Sequence, residues 1–317
     1  MTERRFRFAP SPSRLLHVGN GLAALIGWAA ARQAQGAFVL RIEDIDATRC
    51  KPEFETACLE DLRWLGISWD EGPDVGGPYG PYRQSERIER YDAVLKRLDH
   101  VEAAYRCTCS RAEIRAAQRA PHLEQSGEHP YPGTCRHAAH PPPTANEPRG
   151  GYRLAVEAMA SDALCTWTDE WMGAQTEDVR HTCGDFLLGR TGAPTYQLAV
   201  VADDAAMRIT DVVRGRDLLG STARQRLLHQ QIGSEAPRFA HHPLLLDDRG
   251  QKLSKRDAAL TLHDLRESGL QPQQLIGRLA VTVGLAPPTQ GPLEAEEFAE
   301  LMGHAPQWRD GTWSELS

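Results

Sequence analysis

The first seventy residues alternate between strand-like and helix-like patterns, and this alternation constrains the fold more than any other feature of the sequence. Residues 5–9 are short, aromatic-rich and alternating, and apolar residues then recur at helical spacing over 22–29. The compact apolar run 37–42 is typical of a buried parallel strand, and Pro52 opens a further helical pattern. This order predicts a βαβ unit and a parallel sheet, with Gly36 as the C-cap of the first helix.

The remaining segments are less regular. The spacing of apolar residues predicts helices over 83–102 and 219–232, and two neighbouring strands over 196–210. Residues 129–151 are rich in Pro, Gly and His, which indicates a loop or an inserted module rather than the core of a wound sheet. After Ala258, short helical patterns alternate with Pro and Gly breaks.

The composition is that of a soluble globular enzyme. Of the 317 residues, 41% are hydrophobic and 25% are charged, which argues against global disorder and suggests about two domains. The first residues have no apolar signal-peptide core, and the most apolar run, 22–31, is too short to span a bilayer. The seven cysteines are an odd number, which argues against a disulfide framework. We therefore expect a cytoplasmic protein with reduced thiols and no membrane partner.

Charge is unevenly distributed along the chain. The formal net charge is −7, yet residues 207–256 contain ten basic and five acidic side chains. Residues 257–317 contain three basic and nine acidic ones. A basic stretch on an acidic protein is compatible with phosphate binding.

The segment 8–20, FAPSPSRLLHVGN, is the first candidate for a ligand site. A strand ends in a Pro-Ser-Pro turn and a helix begins, and backbone N–H groups at a helix start favour a phosphate. His17 is placed to donate a hydrogen bond to that phosphate, and Gly19 would allow a backbone or a flat nucleotide ring to come close. An ordinary turn with an exposed histidine is the competing interpretation.

Charged residues follow the second predicted strand in RIEDIDATR, residues 41–49. Ligands of open α/β sheets bind at the carboxyl ends of the strands, which is where Glu43, Asp44 and Asp46 fall. These carboxylates are suited to holding an ammonium group or to pairing with the neighbouring arginines. A solvated charged loop is the alternative.

Lysines are concentrated in KLSKR, residues 252–256. The chain has four lysines and 32 arginines, and Lys252 and Lys255 both lie in this pentapeptide. Where arginine is the usual cation, clustered lysines indicate a need for a compact, mobile ammonium. Such a loop suits the transient charge of a reacting triphosphate.

Three cysteines, Cys107, Cys109 and Cys135, are close together in the sequence. Their spacing in a chain with reduced thiols suggests a structural zinc site, which usually needs four ligands. The local candidates for the fourth ligand are Tyr131 and three histidines, namely His122, His129 and His137.

Taken together, these motifs resemble those of class I aminoacyl-tRNA synthetases of the glutamyl type. Segment 8–20 resembles the HIGH signature of that class and KLSKR its KMSKS signature, while FAPSPS and RIEDIDATR resemble the glutamyl subclass. Only 61 residues follow Arg256, too few for a helical anticodon-binding domain. The short C-terminal region, the segment RGRDLLGSTARQ (214–225) and the Cys-x-Cys, Tyr-x3-Cys pattern together resemble the shorter glutamyl-queuosine tRNA(Asp) synthetase family.

The resemblance implies a domain arrangement. The halves of a Rossmann-type catalytic domain with a parallel sheet are expected over 1–100 and 191–240. A zinc-bearing, acceptor-type insert is expected over 101–190. A small helical C-terminal region with the KMSKS-like loop is expected over 241–317, and a monomer is favoured.

The resemblance also implies site residues. Those expected to bind glutamate are Arg7, Phe8, Ala9, Pro10, Ser11, Glu43, Tyr196 and Arg214. Those expected to bind ATP or assist catalysis are His17, Gly19, Asn20, Lys252 and Lys255. Those expected to bind Zn²⁺ are Cys107, Cys109, Tyr131 and Cys135.

The implied reaction is ATP-dependent activation of L-glutamate without tRNA, with Mg²⁺ accompanying ATP. The glutamyl group then passes to the cyclopentenediol of queuosine, in the anticodon loop of tRNA(Asp). Three alternatives remain: a truncated tRNA(Glu)-charging enzyme, a small-molecule aminoacyl ligase and a catalytically silent RNA-binding paralogue.

Three residues depart from the family pattern. Arg14 stands where the family often has glycine and adds charge beside the nucleotide turn, which puts substrate affinity in question. Asn20 replaces the last histidine of HIGH. Arg256 replaces the last serine of KMSKS but leaves both lysines intact.

Overall fold

The predicted strand–helix alternation is present at the start of the chain. A computed structural model describes residues 3–110, 112–114, 131–138, 150–247, 249–253, 261–303 and 308–313. Its first elements are β1 (Arg5–Phe8), α1 (Val18–Gln33), β2 (Ala37–Leu40) and α2 (Pro52–Trp64). Pro52 at the first turn of α2 costs no hydrogen bond, because that N–H has no partner within the helix.

The middle of the chain is mostly antiparallel. A 3₁₀ turn (Gln84–Arg87) leads into a helix, after which short strands dominate. These elements are α3 (Ile88–His100), β3 (Ala104–Cys107), β4 (Gly151–Leu154), β5 (Leu164–Asp169), β6 (Gly173–Asp178), α4 (Val179–Thr182), β7 (Leu187–Arg190) and β8 (Ala193–Pro194). Strands β3, β4, β7 and β8 form one antiparallel sheet, and β5 pairs with β6 as a hairpin. The antiparallel sheet thus continues beyond residue 190, where the sequence places the end of the insert.

The last third of the chain returns to the parallel sheet and then becomes mainly helical. The 3₁₀ segments Val156–Ala163 and Arg216–Ser221 are short connectors. The regular elements are α5 (Tyr196–Ala206), β9 (Asp211–Gly215), α6 (Thr222–Gln231), β10 (Arg238–His242), β11 (Leu245–Leu246), α7 (Leu262–Glu267), α8 (Pro272–Thr282), α9 (Ala295–Met302) and β12 (Gly311–Thr312).

A four-stranded parallel sheet in the order β10-β9-β1-β2 organises the molecule. Strand β1 pairs with β2 on one side and with β9 on the other, so the strand order reverses beside β1. Helix α1 packs on this sheet, and Leu25, Ile26 and Ala29 are fully buried there. Each fully buried side chain of leucine size contributes roughly 1.5–3 kcal/mol, so this face fixes the direction of α1. The start of α1 therefore lies at the carboxyl end of β1, where ligands of such sheets bind.

Two predictions of secondary structure are wrong. Residues 196–206 form helix α5 rather than strands. The prediction failed because this helix is buried along most of its surface, so its sequence shows no clear helical period. Gly36 is not the C-cap of α1. Ala34 occupies that position, and Gln35 adopts the left-handed conformation that follows it, with a φ of 51°.

Gly36 is instead required by close packing. A Cβ at this residue would lie 2.6 Å from the carbonyl oxygen of Arg4. Within the described ranges, no helix is long and apolar enough to cross a membrane.

Candidate active site

A cavity of about 360 Å³ opens at the carboxyl ends of β1 and β9, beside the start of α1. It brings together twelve of the thirteen residues expected to bind glutamate or ATP, although they are spread over most of the chain. They are Arg7, Phe8, Ala9, Pro10, Ser11, His17, Gly19, Asn20, Glu43, Tyr196, Arg214 and Lys252. Lys255, the thirteenth, lies outside the described residues.

The start of α1 forms one wall of the cavity. His17 is the N-cap residue, and the side-chain oxygen of Asn20 accepts a hydrogen bond from the His17 N–H at 3.1 Å. A Cβ at Gly19 would lie 2.9 Å from the imidazole of His17. Gly19 therefore makes room for the His17 ring itself, and it also lines the cavity. Asn20 orders the turn that presents both residues.

Arg7 lines the cavity and belongs to a buried ionic network. Its Nε lies 3.4 Å from Asp204, and Arg41 contacts the same carboxylate at 2.7 Å and Glu43 at 3.3 Å. Buried charges are tolerated when they are paired in this way. The network balances three arginines against three carboxylates: Arg7, Arg41, Arg87, Glu43, Asp203 and Asp204.

Glu43 is the member of this network that lines the cavity and also titrates near neutrality. Burial raises the pKa of Glu43 to about 7, in spite of the positive charges of Arg41 and Arg7. The other two acidic residues of the motif are engaged elsewhere: Asp44 accepts hydrogen bonds from Ser85, and Asp46 contacts Thr48 and Arg49. Of the three carboxylates of the motif, Glu43 alone is buried and lines the cavity, and it also pairs with Arg41 of the same motif.

Arg214 also lines the cavity and is 5% exposed. Its three nitrogens donate to neutral acceptors: His241 Nε2 at 3.0 Å, Gln225 Oε1 at 2.6 Å and Thr222 Oγ1 at 2.9 Å. Among the described residues, no carboxylate forms an ion pair with it. Burial, reinforced by the positive charge of Arg7, lowers the pKa of Arg214 to about 10. The cavity therefore contains a buried cation whose charge a ligand carboxylate would neutralise.

Two predicted site residues and Arg14, which departs from the family pattern, lie towards solvent. Tyr196, the first residue of α5, is 40% exposed. Lys252 forms an ion pair with Asp217, which also lines the cavity. Arg14 is exposed and also lines the cavity, where it adds a positive charge.

The predicted zinc ligands form a second, separate cluster. The sulfur atoms of Cys107, Cys109 and Cys135 lie within 4.8 Å of one another. The Tyr131 hydroxyl lies 3.4 Å from Cys107 Sγ and 3.3 Å from Cys109 Sγ. Tetrahedral zinc with Zn–S bonds of about 2.3 Å would separate its sulfur ligands by roughly 3.8 Å, so these four side chains fit the ion.

Two contacts of the cluster favour an anionic ligand, whereas burial opposes one. The Cys135 N–H donates to the Tyr131 hydroxyl at 3.0 Å, and the Arg153 guanidinium lies 3.8 Å from the centroid of the tyrosine ring. Burial raises the pKa of Cys109 to about 11, so a cation is needed to hold its thiolate. His137 is exposed and is not part of the metal-ligand cluster found among the described residues, whereas His122 and His129 lie outside them.

Sequence reasoning missed four residues that shape the site. Asp203 and Asp204 hold the buried arginines, and the pair His241 and His242 lies at the end of β10. Two adjacent acidic residues within an apolar run were an available signal, because buried carboxylates need partners.

Comparison with known proteins identifies the class. Residues 3–305 match the family described as class I tRNA synthetases (E and Q), catalytic domain. The chain belongs to this family and is a ligase of the class I synthetase type.

Within the family, two curated relatives share the name glutamyl-Q tRNA(Asp) synthetase. The one from Symbiobacterium thermophilum is 46% identical over 293 residues, which are 92% of this chain and 90% of the relative. The one from Nitratidesulfovibrio vulgaris is 44% identical over 284 residues, 89% of this chain and 87% of the relative. The fold is also similar to the crystal structure of a glutamate tRNA ligase from Elizabethkingia meningosepticum in complex with its amino acid. That match has a TM-score of 0.80 and 29% identity, and it covers 98% of this chain and 67% of the ligase.

Proposed function

We propose that this chain activates L-glutamate with ATP in the absence of RNA and transfers it to queuosine at the wobble position of tRNA(Asp). The observation that carries the glutamate assignment is Arg214, a buried guanidinium with only neutral direct partners among the described residues. A second buried guanidinium, Arg7, and the carboxyl group of Glu43 line the same cavity. Two cations and one anion match a substrate that carries two carboxylates and one ammonium.

In this proposal, separate groups of residues bind glutamate and ATP. Arg7 and Arg214 bind the carboxylates of glutamate, Glu43 faces its ammonium, and Tyr196 closes the mouth of the pocket. His17 and Asn20, at the start of α1, hold the phosphates of ATP. Lys252 and Lys255 stabilise the triphosphate during attack.

The first step forms a bond between an α-carboxylate oxygen of glutamate and the α-phosphorus of ATP. The bond from that phosphorus to the oxygen bridging to the β-phosphorus breaks, and pyrophosphate leaves. Mg²⁺, when bound with ATP, supplies positive charge to the leaving pyrophosphate. The protein orients the two reactants in line, which replaces a bimolecular encounter by a reaction within one complex.

The second step passes the glutamyl group to a hydroxyl of the queuosine cyclopentenediol. The hydroxyl oxygen attacks the activated acyl carbon, the bond from that carbon to the phosphate oxygen breaks, and AMP leaves while the hydroxyl proton passes to solvent. No covalent enzyme intermediate is required. The support for this acceptor is the similarity, over nine-tenths of the chain, to two relatives that carry the name glutamyl-Q tRNA(Asp) synthetase.

We also propose that the Cys107, Cys109, Tyr131 and Cys135 cluster holds one structural Zn²⁺. The four donors come from two separate segments of chain, 107–109 and 131–135. One ion would therefore close the loop between them.

ATP–pyrophosphate exchange without tRNA tests the activation step. We expect exchange with glutamate and not with the other standard amino acids. If exchange is absent without RNA and appears only when tRNA(Glu) is added, the chain is a tRNA-charging synthetase and the proposal is wrong. Absence of exchange under all conditions, in folded protein with Mg²⁺, would indicate a silent RNA-binding paralogue.

The acceptor is tested with radiolabelled glutamate and purified tRNAs. We expect labelling of tRNA(Asp) that contains queuosine, and none of tRNA(Asp) with guanosine at the same position or of tRNA(Glu). Labelling of tRNA(Glu) would contradict the queuosine assignment. Activation without labelling of any tRNA would favour a small-molecule ligase.

Substitution R214Q tests the observation that carries the glutamate assignment. Removing a charge-assisted contact to a buried carboxylate costs about 1.5–3 kcal/mol, so we expect KM for glutamate to rise roughly 10- to 100-fold in the exchange assay. KM for ATP should stay within about twofold. R216Q is the matched control, because Arg216 is half-exposed and pairs with Asp310. Equal glutamate KM values for R214Q and wild type would remove Arg214 from the pocket.

A further inference from the structure

Arg214 is connected to a carboxylate through an intervening histidine. Strands β9 and β10 are parallel neighbours, and Arg214 and His241 are paired in their register. Paired residues of adjacent strands project from the same face, which brings the guanidinium Nε within 3.0 Å of His241 Nε2. On the other side of the ring, His241 Nδ1 lies 2.5 Å from Asp169 Oδ2. Asp169 is the last residue of β5.

The hydrogen-bond pattern fixes one tautomer of His241. An ionised carboxylate only accepts, so Nδ1 must carry the proton that it donates to Asp169. A guanidinium only donates, so Nε2 must offer its lone pair to Arg214. Both demands are met by the neutral Nδ1–H tautomer alone. Burial lowers the pKa of His241 in spite of the neighbouring Asp169, which is consistent with a neutral ring.

Asp169 is itself held firmly. Its Oδ1 accepts the backbone N–H groups of Trp171, Met172 and His241 at 3.0–3.2 Å. Both Asp169 and His241 are 1% exposed. Oδ1 is thus committed to backbone donors, and only Oδ2 is left to receive the imidazole proton.

An imidazole spacer has an electrostatic consequence that a direct ion pair would not have. Arg7 contacts the carboxylate of Asp204, so much of its charge is neutralised within the protein. Arg214 is oriented by a neutral ring, and its compensating carboxylate is one side chain further away. Three of its five N–H donors are used by His241, Gln225 and Thr222, which leaves one on each terminal nitrogen. One remaining donor on each terminal nitrogen is the number that a bidentate contact with a carboxylate requires.

We infer that Asp169 and His241 are positioning residues that hold Arg214 with its charge available, and that they thereby set the preference of the site for glutamate over glutamine. This inference rests on the proposed function, since it concerns the same amino-acid pocket. Glutamine has the same length as glutamate but carries no second negative charge. A displaced or less basic guanidinium would therefore lose affinity for glutamate and keep much of its affinity for glutamine.

The test compares H241L with H241Q in glutamate- and glutamine-dependent ATP–pyrophosphate exchange. Leucine fills the space but offers no acceptor, whereas the side-chain oxygen of glutamine reaches the position of Nε2 and accepts from Arg214. In H241L we expect the glutamate KM to rise on the order of tenfold or more and the glutamate-to-glutamine ratio of kcat/KM to fall by a similar factor. H241Q should recover both to within about threefold of wild type, and the ATP KM should not change in either.

A second variant, D169N, probes the tautomer at a distance from the cavity. Because backbone donors occupy Oδ1, the amide nitrogen of the new side chain faces His241 Nδ1. His241 Nδ1 must then accept from the amide, so the ring proton moves to Nε2. There it faces the Nε–H of Arg214, and two donors meet without an acceptor. We expect D169N to resemble H241L, and the double variant D169N/H241L to be no worse than H241L alone.

The outcomes separate the inference from the proposed function. Wild-type exchange with glutamate together with unchanged glutamate KM and selectivity in H241L would overturn the inference alone. Parallel losses in glutamate KM, ATP KM and melting temperature, without recovery in H241Q, would show a packing role and also overturn it. Absence of glutamate exchange in the wild type would overturn the proposed function and this inference with it.

Discussion

At the scale of single residues, Arg7 and Arg214 show how surroundings give one residue type two electrostatic states. Both are 5% exposed and both line the same cavity. Arg7 contacts Asp204, whereas the direct partners of Arg214 are neutral. Binding of an anion should therefore depend more strongly on Arg214, because its charge is the one that protein carboxylates compensate least.

Glu43 gives the proposed site a pH dependence. Burial raises the pKa of Glu43 to about 7, so in the empty cavity the neutral carboxyl group predominates below that pH. An ammonium group needs the carboxylate, so binding of glutamate must displace this proton at low pH. We expect KM for glutamate to rise about fivefold from pH 7 to pH 6 and to level off above pH 8.

The measurement is ATP–pyrophosphate exchange between pH 6 and pH 8.5. E43Q is the control, since it should bind glutamate weakly at every pH and show no such slope. A glutamate KM in the wild type that is independent of pH would contradict the assigned role of Glu43.

At the scale of elements, the C-terminal end of α1 requires a left-handed backbone conformation at Gln35, a residue type that adopts this conformation less readily than glycine. Gln35 is exposed and has a φ of 51°, while the Gly36 N–H reaches the carbonyl of Ala31 as in a Schellman motif. Non-glycine residues pay a steric cost in this conformation. We expect Q35G to increase the free energy of unfolding by about 1 kcal/mol.

Urea denaturation would measure this change. Q33G is the matched control, because Gln33 is the last helical residue of α1 and its side chain donates to the Ala299 carbonyl, so glycine there should destabilise the protein by at least about 0.5–1 kcal/mol. Destabilisation by Q35G would show that the Gln35 side chain contributes more than its backbone costs.

Helix α5 shows where prediction of elements from sequence reached its limit. Val200 and Val201 favour a strand by their intrinsic preference, and burial on nearly all sides removes the helical period that would have opposed it. What favours the helix is tertiary: Asp203 and Asp204, at its far end, meet Arg87 and Arg41. Arg41 and Arg87 are distant in sequence, so the adjacent acidic residues indicate that buried partners exist but not which residues they are.

Part of the site was more predictable than α5, because the segments 8–20 and 41–49 lie at the carboxyl ends of β1 and β2. The carboxyl ends of parallel strands meet at one edge, so His17 and Glu43 are expected to converge there, whereas Arg7 and Arg214 were expected from the family resemblance alone. The contact between His241 and Asp169 could not be predicted from the sequence. Their contact depends on strand register and on docking of a hairpin 72 residues away in the chain.

At the scale of the whole molecule, the metal-ligand cluster forms a small buried group that is separate from the larger cores. Cys107, Tyr131 and Cys135 are buried with a few apolar neighbours, whereas Leu154 and Leu188 of the antiparallel sheet belong to a larger core. We expect about one equivalent of zinc per chain by elemental analysis, and loss of it in C109S. Because metal binding couples to folding, removal with a strong chelator should lower the melting temperature by several degrees.

C183S is the control for this experiment. Cys183 is half-buried and lies outside the cluster, so its substitution should leave the zinc content unchanged. Zinc far below one equivalent in wild-type protein prepared without chelators would remove the cluster as a metal site.

The tip of the β5–β6 hairpin has a consequence for how the folded molecule opens. The tip is fixed to the parallel sheet, since the Glu170 N–H donates to the Phe239 carbonyl and Asp169 accepts the His241 N–H. Trp171 adds an edge-on contact with Trp308, 4.5 Å between ring centroids. The His241 amide therefore exchanges with solvent deuterium only when the hairpin leaves the sheet. Its protection factor reports, in the native ensemble, the fraction of molecules whose amino-acid pocket is assembled.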